Sequence, residues 1–467
     1  MAEISPHSTP LLPQDRMRDD NCRSRSAGGS GTAMACLHAV TTLISVGSFA
    51  LPWAFERLGL ALGTTGVLAA GILSRCALED LISVKGSTGC GPCGLPNRGN
   101  KGKHEVAASG AAQGAALPSP GLAELTAEVL GHPAGCLARL CLVLRDVGIV
   151  AAHATLAAAA LQLLVEDAVA CESVLGSTAP TDGKLIMGFK KSQVCGFQLW
   201  IWTALVLLAA LLMSCLSPKC LACLYVVGVT ALLAVAVAVV AAGALLWPQA
   251  FQLQSSLLWP PSSEGIGEGV GVLAFLYCTH FRVLPPLHDG MARPRHFGCV
   301  ASGAFCVAAL ANVVIGLAGG PLLDAVMGKD ATLSEKTLLA VPYVRWLLWG
   351  GNMALCPAIL APAVEQTRRS LPQCPTWAVC CGLLSMAAGV AQLGTLGQIV
   401  NLAGGGLHCL TALVLPPALA MWALPWQSTG QTALRVVVIW AGIIIAMGSA
   451  RVALHTLEHA VPHWVTP

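Results

Sequence analysis

The stretch His38-Ala-Val-Thr41-Thr42-Leu-Ile-Ser45-Val-Gly47-Ser48-Phe49-Ala-Leu51-Pro52-Trp53-Ala54-Phe55 is long and apolar enough to lie within a bilayer, yet it is not built as a uniform helix. Glycine is conformationally loose, proline removes a backbone donor, and four hydroxyls crowd the same turns. Irregular backbone survives at membrane depth only where protein or a water-filled cavity satisfies its polar groups. A second stretch has the same character: Phe275-Leu-Tyr277-Cys278-Thr279-His280-Phe-Arg282-Val-Leu284-Pro285-Pro286. There too, hydroxyls and a histidine precede proline. Either both are ordinary proline kinks, or they are paired breaks around a site.

Composition supports the membrane setting of both stretches. Of 467 residues 55% are hydrophobic and 10% charged, whereas a soluble domain carries about 25% charged residues. Mean hydropathy is +0.71. Roughly 20 apolar residues in helix cross a bilayer core, and by that rule the chain reads as an all-α polytopic membrane protein of about eleven transmembrane helices. The expected spans are Met34–Phe55, Leu60–Leu81, Cys136–Val165, Phe197–Leu216, Cys220–Leu246, Val270–Leu284, Gly298–Leu323, Leu338–Val364, Thr376–Leu393, Gly397–Leu424 and Ala433–Leu454. The broken spans are then the first and the sixth. That spacing suits a five-plus-five inverted repeat with a central site made of half-helix ends. Free N–H groups at such ends attract a carboxylate, and exposed carbonyls attract an ammonium, so a zwitterion satisfies both.

Charge placement predicts the orientation. With the N-terminus inside, Arg16, Arg18, Arg23, Arg25, Lys85, Arg98, Lys101, Lys103, Lys219, Arg293, Arg295, Arg368, Arg369 and Arg435 fall on the cytoplasmic side, and fewer basic residues fall opposite. Residues 1–31 read as a disordered cytoplasmic tail with no signal-peptide core, 32–455 as the transmembrane domain and 456–467 as a short C-terminal tail. Within the domain, residues 86–120 are a Gly- and Ser-rich cytoplasmic linker. It holds Cys90-Gly91-Pro92-Cys93, which lacks the βαβ setting that redox chemistry requires. Most cysteines lie in apolar spans, where they act as small hydrophobes. Cys171 and Cys195 instead flank a polar loop on the expected outer face, where oxidation to a disulfide is permitted. The formal net charge of +3 gives no reason to expect a nucleic-acid partner.

At the two breaks the sequence resembles the amino acid/auxin permease family. Ser45-Val-Gly47-Ser-Phe-Ala-Leu51-Pro52-Trp53-Ala54-Phe55 is similar to the family's first-helix pattern, with Gly59 at a further shared glycine. Tyr277-Cys-Thr-His280-Phe-Arg-Val-Leu284-Pro285-Pro-Leu287, followed by Met291, Pro294 and Phe297, resembles its sixth-helix run. Cys356-Pro357 with Pro362, and Asn401-Leu-Ala-Gly404 with Leu415-Pro416, fit later family patterns, so the likeness runs from about Gly31 to the last span. The resemblance implies a LeuT-like fold and a secondary active transporter that moves amino acids by alternating access. It places the substrate at Thr42, Ser45, Val46, Gly47, Ser48, Phe49, Tyr277, Cys278, Thr279 and His280, with His153 at a position where relatives carry tyrosine.

Ionisable residues at membrane depth are costly and therefore candidates for coupling. They are His38, Arg145, Asp146, His153, His280, Arg282 and Arg345. Histidine changes charge near neutral pH, so His38 and His280 beside the breaks suit proton coupling. Arg145 and Asp146, adjacent in sequence, are expected to point apart, and Arg345 to snorkel. A sodium site would draw on Thr41, Ser45 and Asn352. The alternatives are thus a sodium-coupled transporter and a non-transporting amino acid sensor on the same scaffold. Pore-lining charge rings, a nucleophile or metal cluster and a phosphate-cradling loop are missing from the sequence, so a channel, an enzyme and an ATP-driven pump are not expected. No cofactor is expected beyond an H⁺ or Na⁺ gradient. The expected partners are an amino acid and the lipid bilayer, the expected state is a monomer, and the expected membrane is the plasma membrane or a vacuolar or endosomal one.

Overall fold

The computed structural model of the chain describes residues 31–44, 47–87, 121–175, 197–214, 216–250, 258–260, 263–277, 280–319, 342–371, 373–391, 396–424 and 428–460. Among them the protein is all-α, with no β-strand. The first apolar segment is two pieces. Helix α1, Thr32–Leu43, ends at Ile44, which turns to extended backbone (φ −88°, ψ 91°). Helix α2, Gly47–Ser87, restarts at a 51° bend to it. Pro52 sits inside α2.

Sequence analysis expects two spans on either side of Gly59, and the structure kinks there: α2 consists of two helical stretches that meet at one non-helical residue, Gly59, at φ 72°. That left-handed conformation favours glycine. It also lets the chain pass against Leu258–Trp259, whose carbonyl carbon at Trp259 would lie 2.6 Å from a Cβ at position 59. The Ala61 N–H donates to the Leu258 carbonyl there (3.2 Å).

After α3, Leu122–Leu130, a second positive-φ glycine, Gly131 (φ 93°), closes the helix by donating to Ala127 (3.1 Å). This is a common way for a helix to end. Helix α4, His132–Leu175, follows, then α5, Phe197–Ser214, and α6, Pro218–Ala250. The sixth apolar segment is again two pieces, α7, Ser263–Phe275, and α8, His280–Gly290. Then come α9, Phe297–Gly319, α10, Pro342–Ser370, and α11, Thr376–Ala391. The tenth segment starts as α12, Leu396–Asn401, widens into a π-helix over Leu402–Val414 and finishes as α13, Leu415–Ala423; α14 is Thr429–Ala460. Among the described residues, six helices are long and apolar enough to cross a membrane, seven with the bent α1–α2 pair, and three shorter apolar helices accompany them.

The buried apolar residues divide into two principal cores. The larger is made by α4, α5, α6, α10 and α11, together with Phe49, Val272 and Phe275 from the broken segments. The smaller unites α1, α2, α7, α8 and α9 through Leu43, Leu51, Phe55, Leu276, Tyr277, Leu284 and Ala304. Residues close to each break are therefore divided between the two cores. Lys85 and Asp289 pair across the ends of α2 and α8.

Candidate functional site at the paired breaks

The two breaks meet. A Cβ on Gly47, the first residue of α2, would lie 2.9 Å from the Phe275 ring and 3.3 Å from the Leu276 Cα. Only hydrogen at that position lets the two irregular stretches come this close. Beside the contact, the Ser48 hydroxyl donates to the Asn312 side-chain oxygen of α9 (2.7 Å), and both residues are fully buried. Phe49 is buried on the opposite side, in the larger core.

On the second break, α7 stops at Phe275 and the chain turns through Leu276 and Tyr277 before α8 begins at His280. The Tyr277 phenol donates to the Val67 carbonyl (3.4 Å), and its ring packs against Phe305 at 5.5 Å. The His280 Nδ1–H donates to the Tyr277 carbonyl, so this imidazole is fastened to the broken backbone itself. The His280 backbone N–H donates to the same Tyr277 carbonyl (3.1 Å), so that carbonyl takes two hydrogen bonds from the first residue of α8.

The π-helix closes this volume from a third side. At Gly404 a side chain would run into Phe275, and at Gly405 into Ser449 of α14. π-Turns inside helices are often found at functional positions because they break the regular hydrogen-bond ladder.

Several of the sequence-derived candidates assemble here: Gly47, Ser48, Phe49, Tyr277 and His280. Ser45, Val46, Cys278 and Thr279 lie outside the described residues, as does Cys195, the expected partner of Cys171. Among the cysteines whose side chains are described, of which Cys171 is not one, none is in a disulfide. Thr42 is buried at the end of α1, but its hydroxyl donates to the His38 carbonyl (2.8 Å), and Thr41 donates to that carbonyl as well (3.0 Å). His38 is exposed on α1, edge-on to Tyr225 of α6 at 6.5 Å. His153 is buried and its Nδ1 meets the Asn352 oxygen of α10 (2.7 Å), while the Asn352 amide donates to Leu348 (2.7 Å). Its described contact thus lies on α10, not at the breaks.

Two expectations are corrected. Arg145 and Asp146 do not point apart: the guanidinium wraps back to the neighbouring carboxylate (Nε to Oδ1 3.0 Å), and both are buried. Desolvation explains this, since an ion at that depth needs its counter-ion at hand. Arg345 is likewise buried, at 5% exposure, where snorkelling was expected.

The structure adds two residues that sequence analysis missed. Asn312 anchors Ser48, and His408 of the π-helix lies edge-on to His280 at 5.9 Å and stacked on Phe281 at 5.8 Å. Both were detectable as polar residues inside expected apolar spans. Apart from the breaks, a cavity of about 420 Å³ opens near the ends of α2 and α14, lined by Arg75, Glu79, Asp80, His288 and Arg435. Its charges are paired, Arg435 with Asp80 at 2.7 Å and Arg75 with Glu79 at 2.5 Å.

The model of the transmembrane amino acid transporter protein family matches residues 28–319, which takes in both breaks. Among solved structures the chain is similar to the crystal structure of MhsT in complex with L-phenylalanine. The identity is 12% and the TM-score 0.46, with 91% of this chain and 98% of that chain covered. No curated protein sequence matches the chain.

Proposed function

The chain belongs to the transmembrane amino acid transporter family, and from that premise we propose that it is a proton-coupled secondary transporter of amino acids working by alternating access. The observation that carries the reading is the meeting of the two breaks, with Gly47 against Phe275 and Leu276. Opposed half-helix ends offer an α-carboxylate its N–H donors and an α-ammonium its carbonyls, without any charged side chain. Around them Ser48, Phe49, Tyr277 and His280 shape the side-chain end of the site.

Proton coupling is supported by His280, whose imidazole bonds directly to the broken segment. Of the oxygens that the sodium alternative would draw on, the Asn352 side-chain oxygen is taken by His153, the Thr41 hydroxyl donates to the His38 carbonyl, and Ser45 lies outside the described residues. In this reading the N-terminus is cytoplasmic, as the basic residues of the connecting segments favour. The two cores are the bodies that move against each other, with the substrate at their seam.

Proteoliposomes carrying the purified protein test this directly. Each of the common amino acids, radiolabelled, is offered under an imposed pH gradient and, separately, a sodium gradient. Accumulation under the pH gradient, abolished by His280→Ala, is the expected result. Accumulation that follows sodium and ignores pH overturns the coupling, and accumulation under neither gradient overturns transport.

A further inference from the structure

We propose that His408 of the π-helix and His280 of α8 form a shared proton site, with His408 the member that exchanges the proton and His280 the member that passes its effect to the substrate site. This rests on the proton-coupled reading above and assigns it to a second residue, on a different helix. His280 donates through Nδ1 to the Tyr277 carbonyl. A carbonyl only accepts, so the hydrogen of the neutral ring sits on Nδ1 and the lone pair on Nε2. That Nε2 is buried and has no hydrogen-bond partner among the described residues. Neither ring nitrogen of His408 has one, and the two rings stand 5.9 Å apart, edge to face. Buried imidazoles are ordinarily satisfied. Three orphaned ring nitrogens on two neighbouring histidines mark a place where a proton is taken up and handed on.

The surrounding charges define how many protons the pair holds. Arg145 and Asp146 of α4 face it as a neutral ion pair, with the Arg145 guanidinium 4.5 Å over the Phe281 ring on which His408 stacks. The positive charge of Arg145 acts on both imidazoles. From the second break Tyr277 faces His280 through its carbonyl, and Cys409 is the titratable neighbour on the π-helix itself. The charges that α2 and α14 contribute nearby, Asp80 and Arg435, neutralise each other. A first proton on either ring faces Arg145 with Asp146 beside it, whereas a second would also face the first proton across 5.9 Å. The pair therefore holds one proton at a time. It enters from one side and leaves to the other, and only N–H bonds are made and broken.

Each protonated form reaches the substrate site by a short route. On His280 the charge strengthens the bond to the Tyr277 carbonyl, altering the backbone of the second break. On His408 it alters the π-helix that presses Gly404 against Phe275. The substrate end and the proton end are thus joined through α7 and α8.

The test uses wild type and His408→Gln in proteoliposomes with a radiolabelled mixture of the common amino acids. Glutamine fills a similar volume and hydrogen-bonds but carries no proton. Two fluxes are compared: exchange against internal unlabelled mixture at equal pH, and accumulation driven by a pH gradient, with a trapped pH dye reporting proton entry. For H408Q, accumulation and the dye response are expected to fall on the order of tenfold more than exchange does. If both fluxes fall equally, or neither falls, the site is not at His408. A variant that aggregates on size exclusion is replaced by His408→Asn, which is held to the same comparison. Wild type that exchanges no amino acid at all overturns the transport reading as well, and so is distinguished from a failure of this proposal alone.

Discussion

The buried pair Arg145–Asp146 is the most consequential correction at the scale of single residues. In sequence it is a cation and an anion side by side at membrane depth, and helical geometry alone directs them to different faces. Burial decides otherwise, because leaving either ion alone in a low-dielectric interior costs more than bending one side chain back to its neighbour. Removing one partner strands the other, so Arg145→Met and Asp146→Asn are each expected to destabilise the protein by about 3–5 kcal/mol. The double variant should lose much less than the sum of the two, and a double-mutant cycle on thermal unfolding in detergent reads that difference.

Ser48 offers a smaller case of the same logic. Its hydroxyl is the described partner of the Asn312 oxygen. Ser48→Ala is expected to cost about 1–3 kcal/mol by orphaning that oxygen, and Ser48→Ala with Asn312→Leu to recover part of the loss. Neither residue's partner was legible in the chain, since residues 48 and 312 are brought together only by how α2 and α9 pack.

At the scale of elements, what could be read was the irregularity. Gly47, Pro52, the hydroxyls and the prolines 285–286 announced two interrupted helices, and the structure interrupts both within a few residues of those signals. The π-helix was not legible. Gly404-Gly405-Gly406 reads as a loose stretch in an otherwise apolar span, and nothing in its composition separates an α-helix that tolerates glycine from a widened one. The separating cause is tertiary: the small residues let the π-helix approach both α7 and α14, where Gly271 and Ser449 sit opposite.

That packing has a measurable consequence. A side chain at Gly405 would occupy the place of the Ser449 side chain and lie 3.0 Å from the Gly271 Cα. Gly405→Val should therefore push the π-helix away from α14 at a cost of about 1–3 kcal/mol, the usual penalty for overpacking. A lowered thermal midpoint with unchanged helix content by circular dichroism is the expected result. An unchanged midpoint would mean that this interface is loose.

For the whole molecule the informative fact is that its two cores meet at the breaks. Phe49 and Phe275 pack into the larger core, while Leu51, Leu276 and Tyr277, a few positions away, pack into the smaller. No sequence pattern announced that division, because apolar periodicity says which face is buried and not which neighbour buries it. A ligand held between the breaks touches both cores at once, so it should stabilise the protein as a unit and not one helix pair. Binding to the folded state alone adds about 2.7 kcal/mol when the ligand is at a hundred times its dissociation constant. Thermal unfolding in detergent, run with each amino acid in turn, should then show an upward shift for the transported ones and none for the rest. Two glycine variants separate site from scaffold. Gly47→Val, which puts bulk into the contact between the breaks, should abolish the shift, whereas Gly405→Val should lower the midpoint and keep it. If the Gly47 variant retained the full shift, the ligand would have to bind away from the paired breaks, and the seam between the two cores would lose its role as the substrate site.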